Sequence, residues 1–156
     1  MISVTAFAPA TVSNVGCGFD VLGFALDAPG DEVEASFAPA GVQIADITGD
    51  GGRLPRDATR NTASVAVLAL LAAIGERRGI SLTIHKGLPL SSGLGGSAAS
   101  AAAAVVAVDA LIGARSSIDT LIACALEGER LGAGSAHADN IAPSICGGFV
   151  LVRRPN

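Results

Sequence analysis

Alternation of apolar and polar residues marks the first third of the chain, and apolar residues at helical density mark the middle. Ile2 to Ala8, Val21 to Leu26, Glu32 to Phe37 and Val42 to Ile47 carry strand-like content or a period of two, with turn signals at Pro9, Pro29-Gly30 and Pro39-Ala40-Gly41. Asn61 to Ile74 and Ser97 to Ile112 are rich in Ala, Leu and Val over helical lengths. Ser116-Ser117-Ile118-Asp119 has the form of a capping box, in which a hydroxyl and a carboxylate each satisfy a free backbone N–H; it predicts a third helix running to Leu131. Ile80 to His85 reads as a strand between two helices, and Gly148 to Arg153 as a last one. The order ββββ-α-β-α-α-β predicts an α+β fold, a mixed sheet with helices packed on one face, in one domain spanning 1–156.

Composition narrows what such a fold can serve. The 156 residues are 50% hydrophobic with a formal net charge of −4, enough to bury one core. Only 10 residues are Lys or Arg, aromatic residues make up 3%, and Trp and Tyr are absent. The basic surface and stacking rings used to bind nucleic acid are therefore missing. The apolar runs Ala63 to Ile74 and Ala98 to Val108 are too short to span a bilayer, and the opening MISVTAFAPATV lacks the basic and apolar regions of a secretion signal. A cytoplasmic location with no membrane partner is expected. Cys17, Cys124 and Cys146 are odd in number and form no CxxC pair, which suits reduced thiols better than a disulfide frame or a zinc site.

The stretch GLPLSSGLGGSAAS, Gly87 to Ser100, changes the picture most. It joins a predicted strand to a predicted helix, so its backbone amides and the helix's free N–H groups converge on one point, which attracts an anion. Glycines at 93, 95 and 96 permit positive φ and let a ligand approach the backbone. Ser91, Ser92 and Ser97 add hydroxyls, and Ser97 at the helix start is placed to ligate the magnesium that accompanies a nucleoside triphosphate. The GxxxxGK[ST] phosphate loop is excluded because no Lys follows the glycines. Gly93-Leu94-Gly95-Gly96-Ser97-Ala98 fits the loose dinucleotide pattern G-x-G-x-x-A. However, Lys86 to Ser92 separate it from the strand, and the acidic residue expected further on is at best Asp109, inside an apolar helix.

PLSSGLGGSAA resembles the phosphate loop PxxxGLGSSAA of the GHMP small-molecule kinases, with Gly96 in place of the first of the two serines. Pro9 to Gly23, PATVSNVGCGFDVLG, resembles the motif PATSANLGVGFDxxG of the homoserine kinases within that family. Glu129, His137-Ala138-Asp139-Asn140-Ile141-Ala142-Pro143 and Gly147-Gly148-Phe149 resemble their E…HxDNxAPxxxGG segment. The resemblance implies ATP-dependent phosphorylation of the side-chain hydroxyl of L-homoserine, with magnesium. It assigns the nucleotide to Asn61, Pro89, Ser91, Ser92, Gly93, Leu94, Gly95, Gly96, Ser97 and Ala98, and the metal to Ser97 and Glu129. It assigns the amino-acid substrate to Asn14, Asp20 and His137, and places Asn140 where many relatives have an aspartate proposed as general base. An amide takes no proton, so Asn140, with Glu129 and Ser97, implies catalysis by positioning and electrostatics.

Each of these residues has a plainer reading. Asp20 serves equally as a turn residue, Asn61 as a helix N-cap and Glu129 as a solvated helix residue. The family also has a second half carrying another glycine-rich motif and arginines that clamp the substrate carboxylate. The motifs quoted above end at Phe149, which implies the N-terminal, nucleotide-binding half of such an enzyme without the C-terminal domain. An apolar face left exposed in that half predicts self-association, in its simplest form a homodimer. Three other functions stay open: a sister kinase acting on another small alcohol, a nucleotide-binding module without turnover, and the nicotinamide reading.

Overall fold

The computed structural model describes residues 2–133 and 137–153. Five strands and four helices follow the chain as β1 (Ser3–Ser13), β2 (Leu22–Ala38), β3 (Val42–Thr48), α1 (Thr62–Ile74), β4 (Gly79–His85), α2 (Gly96–Ile112), α3 (Ile118–Ala133), α4 (Ala138–Cys146) and β5 (Phe149–Leu151). The sheet runs β1-β2-β4-β3, with β5 on the first residues of β2; β3 and β4 are parallel and the other pairs antiparallel. Period two assigns its faces. Val33 and Ala35 on β2 and Ile80, Leu82 and Ile84 on β4 are fully buried, while Glu32 and the residues between the β4 positions point the other way. Helices cover that one buried face, as the hydrophobic pattern predicts.

Helix α2 is the centre of the core. Ala98 to Val105, Ala107 and Val108 are all buried, so the helix is apolar around its circumference and is packed on every side. Its alanines allow this, because helices and strands can approach thin side chains closely. Gly113 ends the helix in the left-handed conformation, and Asp109 accepts from the Ser116 N–H at 3.1 Å. Asp109 therefore organises a helix end and does not face a ribose. Ser117, rather than Ser116, supplies the hydroxyl that accepts at the start of α3, from Thr120 N–H at 3.2 Å.

Two expected boundaries differ. The Pro29-Gly30 turn is absent: Glu32–Phe37 and all of Val21–Leu26 except Val21 belong to the single strand β2. Pro9 pairs with Gly30 and Thr11 with Ala25, so Leu26 to Pro29 loop outward opposite Ala10 as a bulge and the chain does not reverse. The HADNIAPSIC segment forms α4, an element its composition hides because Pro143 lies inside it. Pro143 has no N–H to give Asp139, and the Asp139 carbonyl instead lies so close to Gly23 that a Cβ there would sit 1.8 Å from it. The end of the PATVSNVGCGFDVLG motif is thus packed onto α4.

Candidate active site

The glycine loop is suspended between two apolar anchors. Leu88 is 1% exposed and Leu94 packs against the core, while Pro89, Ser91, Ser92 and Gly93 lie at the surface between them. Ser91, Gly93 and Gly95 take positive φ of 62°, 75° and 68°. Gly95 is the N-cap of α2 and contributes no side-chain cap, so the first N–H groups of the helix are left for a ligand. Ser97 follows in the first turn with an exposed hydroxyl. A cleft of about 660 Å³ opens here, lined among others by Asn61, Pro89, Ser91, Ser92, Gly93, Gly95, Gly96 and Ser97. Two of the expected nucleotide residues lie off its wall: the Leu94 carbonyl is turned to Thr11, and Ala98 is buried in the core.

The opposite wall is built by residues 53–62. Asn61 caps α1, accepting from Ala63 N–H and donating to the Pro55 carbonyl, each at 3.0 Å. This is the plainer role the sequence allowed, and it leaves one amide hydrogen and one lone pair uncommitted. Asp50 orders the strand-to-helix turn ahead of it by accepting from the N–H groups of Gly52 at 3.1 Å and Leu54 at 3.0 Å. Those bonds, that of Leu54 first, hold the Asp50 carboxyl below its ordinary pKa.

Behind the loop, three distant segments meet at Thr11. Its N–H donates to the Leu94 carbonyl at 3.1 Å, and its hydroxyl donates to Asn140 Oδ1 at 2.8 Å. Asn140 Nδ2 donates to Ser13 Oγ at 3.1 Å. A Cβ on Gly95 would lie 2.3 Å from Thr11 Oγ1 and 3.0 Å from Asn140 Oδ1, so the loop can come this close only as glycine.

Asn14, Asp20 and His137 are brought together on the rim. Asn14 and Asp20 have positive φ of 58° and 59°, and Asn14 Oδ1 accepts from the Asp20 N–H at 2.9 Å. Asp20 Oδ1 lies 3.1 Å from His137 Nδ1 with both side chains partly exposed. Asp20 also lines a second cleft, of about 590 Å³, with Arg130 and Arg153 on its wall. Glu129 stands on α3 with Oε1 buried and without a hydrogen-bond partner, a donor atom free for a cation. Among the described residues, no group of three or more His, Cys, Asp or Glu forms a metal cage by itself. A serine hydroxyl and one carboxylate suit magnesium, which keeps waters and takes phosphate oxygens for its other positions.

Sequence reading missed Thr11, Asp31, Lys86 and Ser100. Asp31 falls on the same parity as Val33 and Ala35, and Lys86 on that of Ile80, Leu82 and Ile84. Two opposite charges at core-facing positions of neighbouring strands are the signal that was available. Thr11 gives none beyond its place in the first motif.

Residues 61–148 match the GHMP kinase N-terminal domain. The chain is 51% identical to a homoserine kinase of Chloroherpeton thalassium over 98% of its own length and 51% of that protein's, and 52% identical to one of Arabidopsis thaliana over 97% and 42%. The crystal structure of homoserine kinase from Cytophaga hutchinsonii superposes with a TM-score of 0.93 at 54% identity, covering 97% of this chain and 49% of that one. A Leishmania (L. major) mevalonate kinase shares the fold at a TM-score of 0.75 and 21% identity. The chain spans about half the length of the curated relatives it matches. With the family's loop, cleft and N-terminal domain all present in it, the chain belongs to the GHMP kinases.

Proposed function

We propose that this chain is the nucleotide-binding domain of an ATP-dependent kinase that phosphorylates the side-chain hydroxyl of L-homoserine, giving O-phospho-L-homoserine. The observation that carries the reading is the single cleft shared by the glycine loop, the free N-terminus of α2 and Asn61. Its volume suits a nucleotide, with phosphates on the loop and the base toward Asn61. Ser97 and Glu129 would hold magnesium, which supplies charge neutralisation for the β- and γ-phosphates when bound. Asp20 would take the substrate ammonium, supported by Asn14 and His137.

Asn140 fixes the character of the reaction. Its Oδ1 accepts from Thr11 and its Nδ2 donates to Ser13, which leaves one N–H to orient the substrate oxygen, and an amide does not remove that oxygen's proton. A loose transition state tolerates this, since little charge gathers on the attacking oxygen until late. Catalysis then rests on alignment by the loop and on electrostatic stabilisation.

Release of ADP from magnesium-ATP with L-homoserine, set beside mevalonate and galactose, tests the reading. Turnover with homoserine alone is expected once the chain is joined to a second half such as that of the Cytophaga hutchinsonii relative. No turnover with homoserine in that form overturns the substrate assignment. Nucleotide binding without turnover by the 156-residue chain alone would make that chain a binding domain. Phe19, Phe149 and Leu151 are more than half exposed beside the second cleft, which supports self-association of the isolated chain. A cytoplasmic location suits such chemistry, and no helix among the described residues is long and apolar enough to cross a membrane.

A further inference from the structure

Asp31, Lys86 and Ser100 form a buried polar cluster at the back of the nucleotide cleft, whose lining includes Lys86 and Ser100, and none of the roles above uses it. Asp31 is completely buried on β2, and the Lys86 side chain retains 2% of its exposure. Asp31 Oδ1 accepts from the N–H groups of Gly87 and Leu88, both at 3.1 Å. Its Oδ2 accepts from the Ser100 hydroxyl at 2.7 Å and from Lys86 Nζ. The ammonium donates further to the Gly96 carbonyl at 2.7 Å and to Ser100 Oγ at 2.9 Å.

These bonds exhaust the cluster. Lys86 has three donors and all are committed inside the protein, so it has none for a phosphate oxygen. A buried ion pair adds little net stability over an apolar replacement of the same shape, because desolvation offsets the attraction. What this one contributes is location. Gly87 and Leu88 begin the glycine loop and donate to Asp31 directly, while the start of α2 that closes the loop is tied to the same carboxylate through the Ser100 hydroxyl and, at Gly96, through Lys86. Between them the loop has positive φ at Ser91, Gly93 and Gly95 and few backbone bonds, chiefly Ser92 N–H to the Pro89 carbonyl at 3.3 Å and the contact with Thr11.

We propose that Asp31 is a positioning residue for the phosphate cradle: one carboxylate on the sheet clamps both ends of the loop, so the free N–H groups of α2 keep their direction before a nucleotide arrives. The inference rests on reading the loop as a nucleotide cradle and is independent of the acceptor substrate.

The test compares the full chain with Ser100→Ala and Lys86→Met by hydrogen exchange of amides 90–95 without nucleotide, and by equilibrium titration with magnesium-ATP. Ser100→Ala keeps helix propensity but leaves buried Asp31 and Lys86 each one hydrogen bond short, so its melting temperature should fall modestly while the chain stays folded. Its loop amides should exchange faster and its affinity for magnesium-ATP should fall about tenfold, with larger changes in Lys86→Met. Unchanged exchange in folded Ser100→Ala overturns the clamp, and faster exchange with unchanged affinity overturns its positioning role. If Lys86→Met does not fold, Ser100→Ala decides alone. A wild-type chain that fails to bind magnesium-ATP overturns the cradle reading instead, and the exchange comparison then still decides whether the cluster clamps the loop.

Discussion

The two ends of the candidate site are built in opposite ways. At the glycine loop, the walls and floor are finished: Asn61 caps α1, Asp31 and Lys86 are paired, and the groups left over are backbone N–H donors and exposed hydroxyls. On the rim at Asn14, Asp20 and His137, the side chains reach solvent, Asn14 and Asp20 are held in left-handed conformations, and apolar residues stand open to solvent nearby. A phosphate cradle can be completed by one segment and its supports, because a helix end and a tight loop supply all the donors. A site for a small amino acid has to enclose an ammonium, a carboxylate and a hydroxyl at once, and the rim offers only part of that enclosure.

The largest test of this contrast asks which end carries the chemistry. In the active, joined form, Glu129→Gln should lower kcat on the order of a thousandfold, since it removes a charge that acts on the transferring group. Asn140→Ala should cost on the order of tenfold, the loss of an orienting hydrogen bond. Equal losses in steady-state kinetics would give Asn140 more than an orienting role.

A smaller effect separates the ends by substrate. Asp20→Asn should raise KM for homoserine about fiftyfold, through loss of a charge-assisted contact, and leave KM for ATP where it was. A matching rise for ATP would mean that the rim and the cradle are one unit. Gly95→Ala probes the finished end. It forces a side chain into positive φ and against Thr11 and Asn140, so it should destabilise by about 2 kcal/mol and lower the melting temperature by roughly 4–8 °C.

The mildest test is acid. Asp50 has its pKa lowered in the folded chain, so its contribution is present above the ordinary value of 3.8 and is lost as pH falls through the folded value. Exchange of the Gly52 and Leu54 amides should therefore accelerate below about pH 3.8. Unchanged exchange of these two amides would show that the Asp50 carboxylate does not order this wall of the cleft.

Much of the fold was legible because its signals are local. Alternation marked β4, alanine content marked α2, and glycine with serine ahead of that helix marked the cradle. The Pro29-Gly30 error came from reading a turn signal where the partner strand decides: β1 continues past the bulge and holds both halves of β2 in one ladder. Helix α4 was hidden because Pro143 argues against a helix, and what compensates is tertiary: packing on Gly23 and bonds from Asn140 and Ser144 to β1. Thr11 was invisible for a related reason: its role is a contact with a residue far along the chain, and nothing local distinguishes a threonine bound to Asn140 from one facing solvent. Asp31 showed its core-facing parity but not the loop it holds.

Strand β2 has a mechanical consequence. Gly23, near its start, bears on α4, and Asp31, past the bulge, holds the glycine loop, so one hydrogen-bonded rod carries the mounts of both ends of the site. β1 splints that rod on either side of the bulge, while β5 and β4 brace its first and last stretches. The rod has one weak point, Leu26 to Pro29, where the ladder is interrupted, and it sits midway between the mounts. Any strain between the two mounts has to pass through that short span, the one stretch of β2 between them that β1 does not pair.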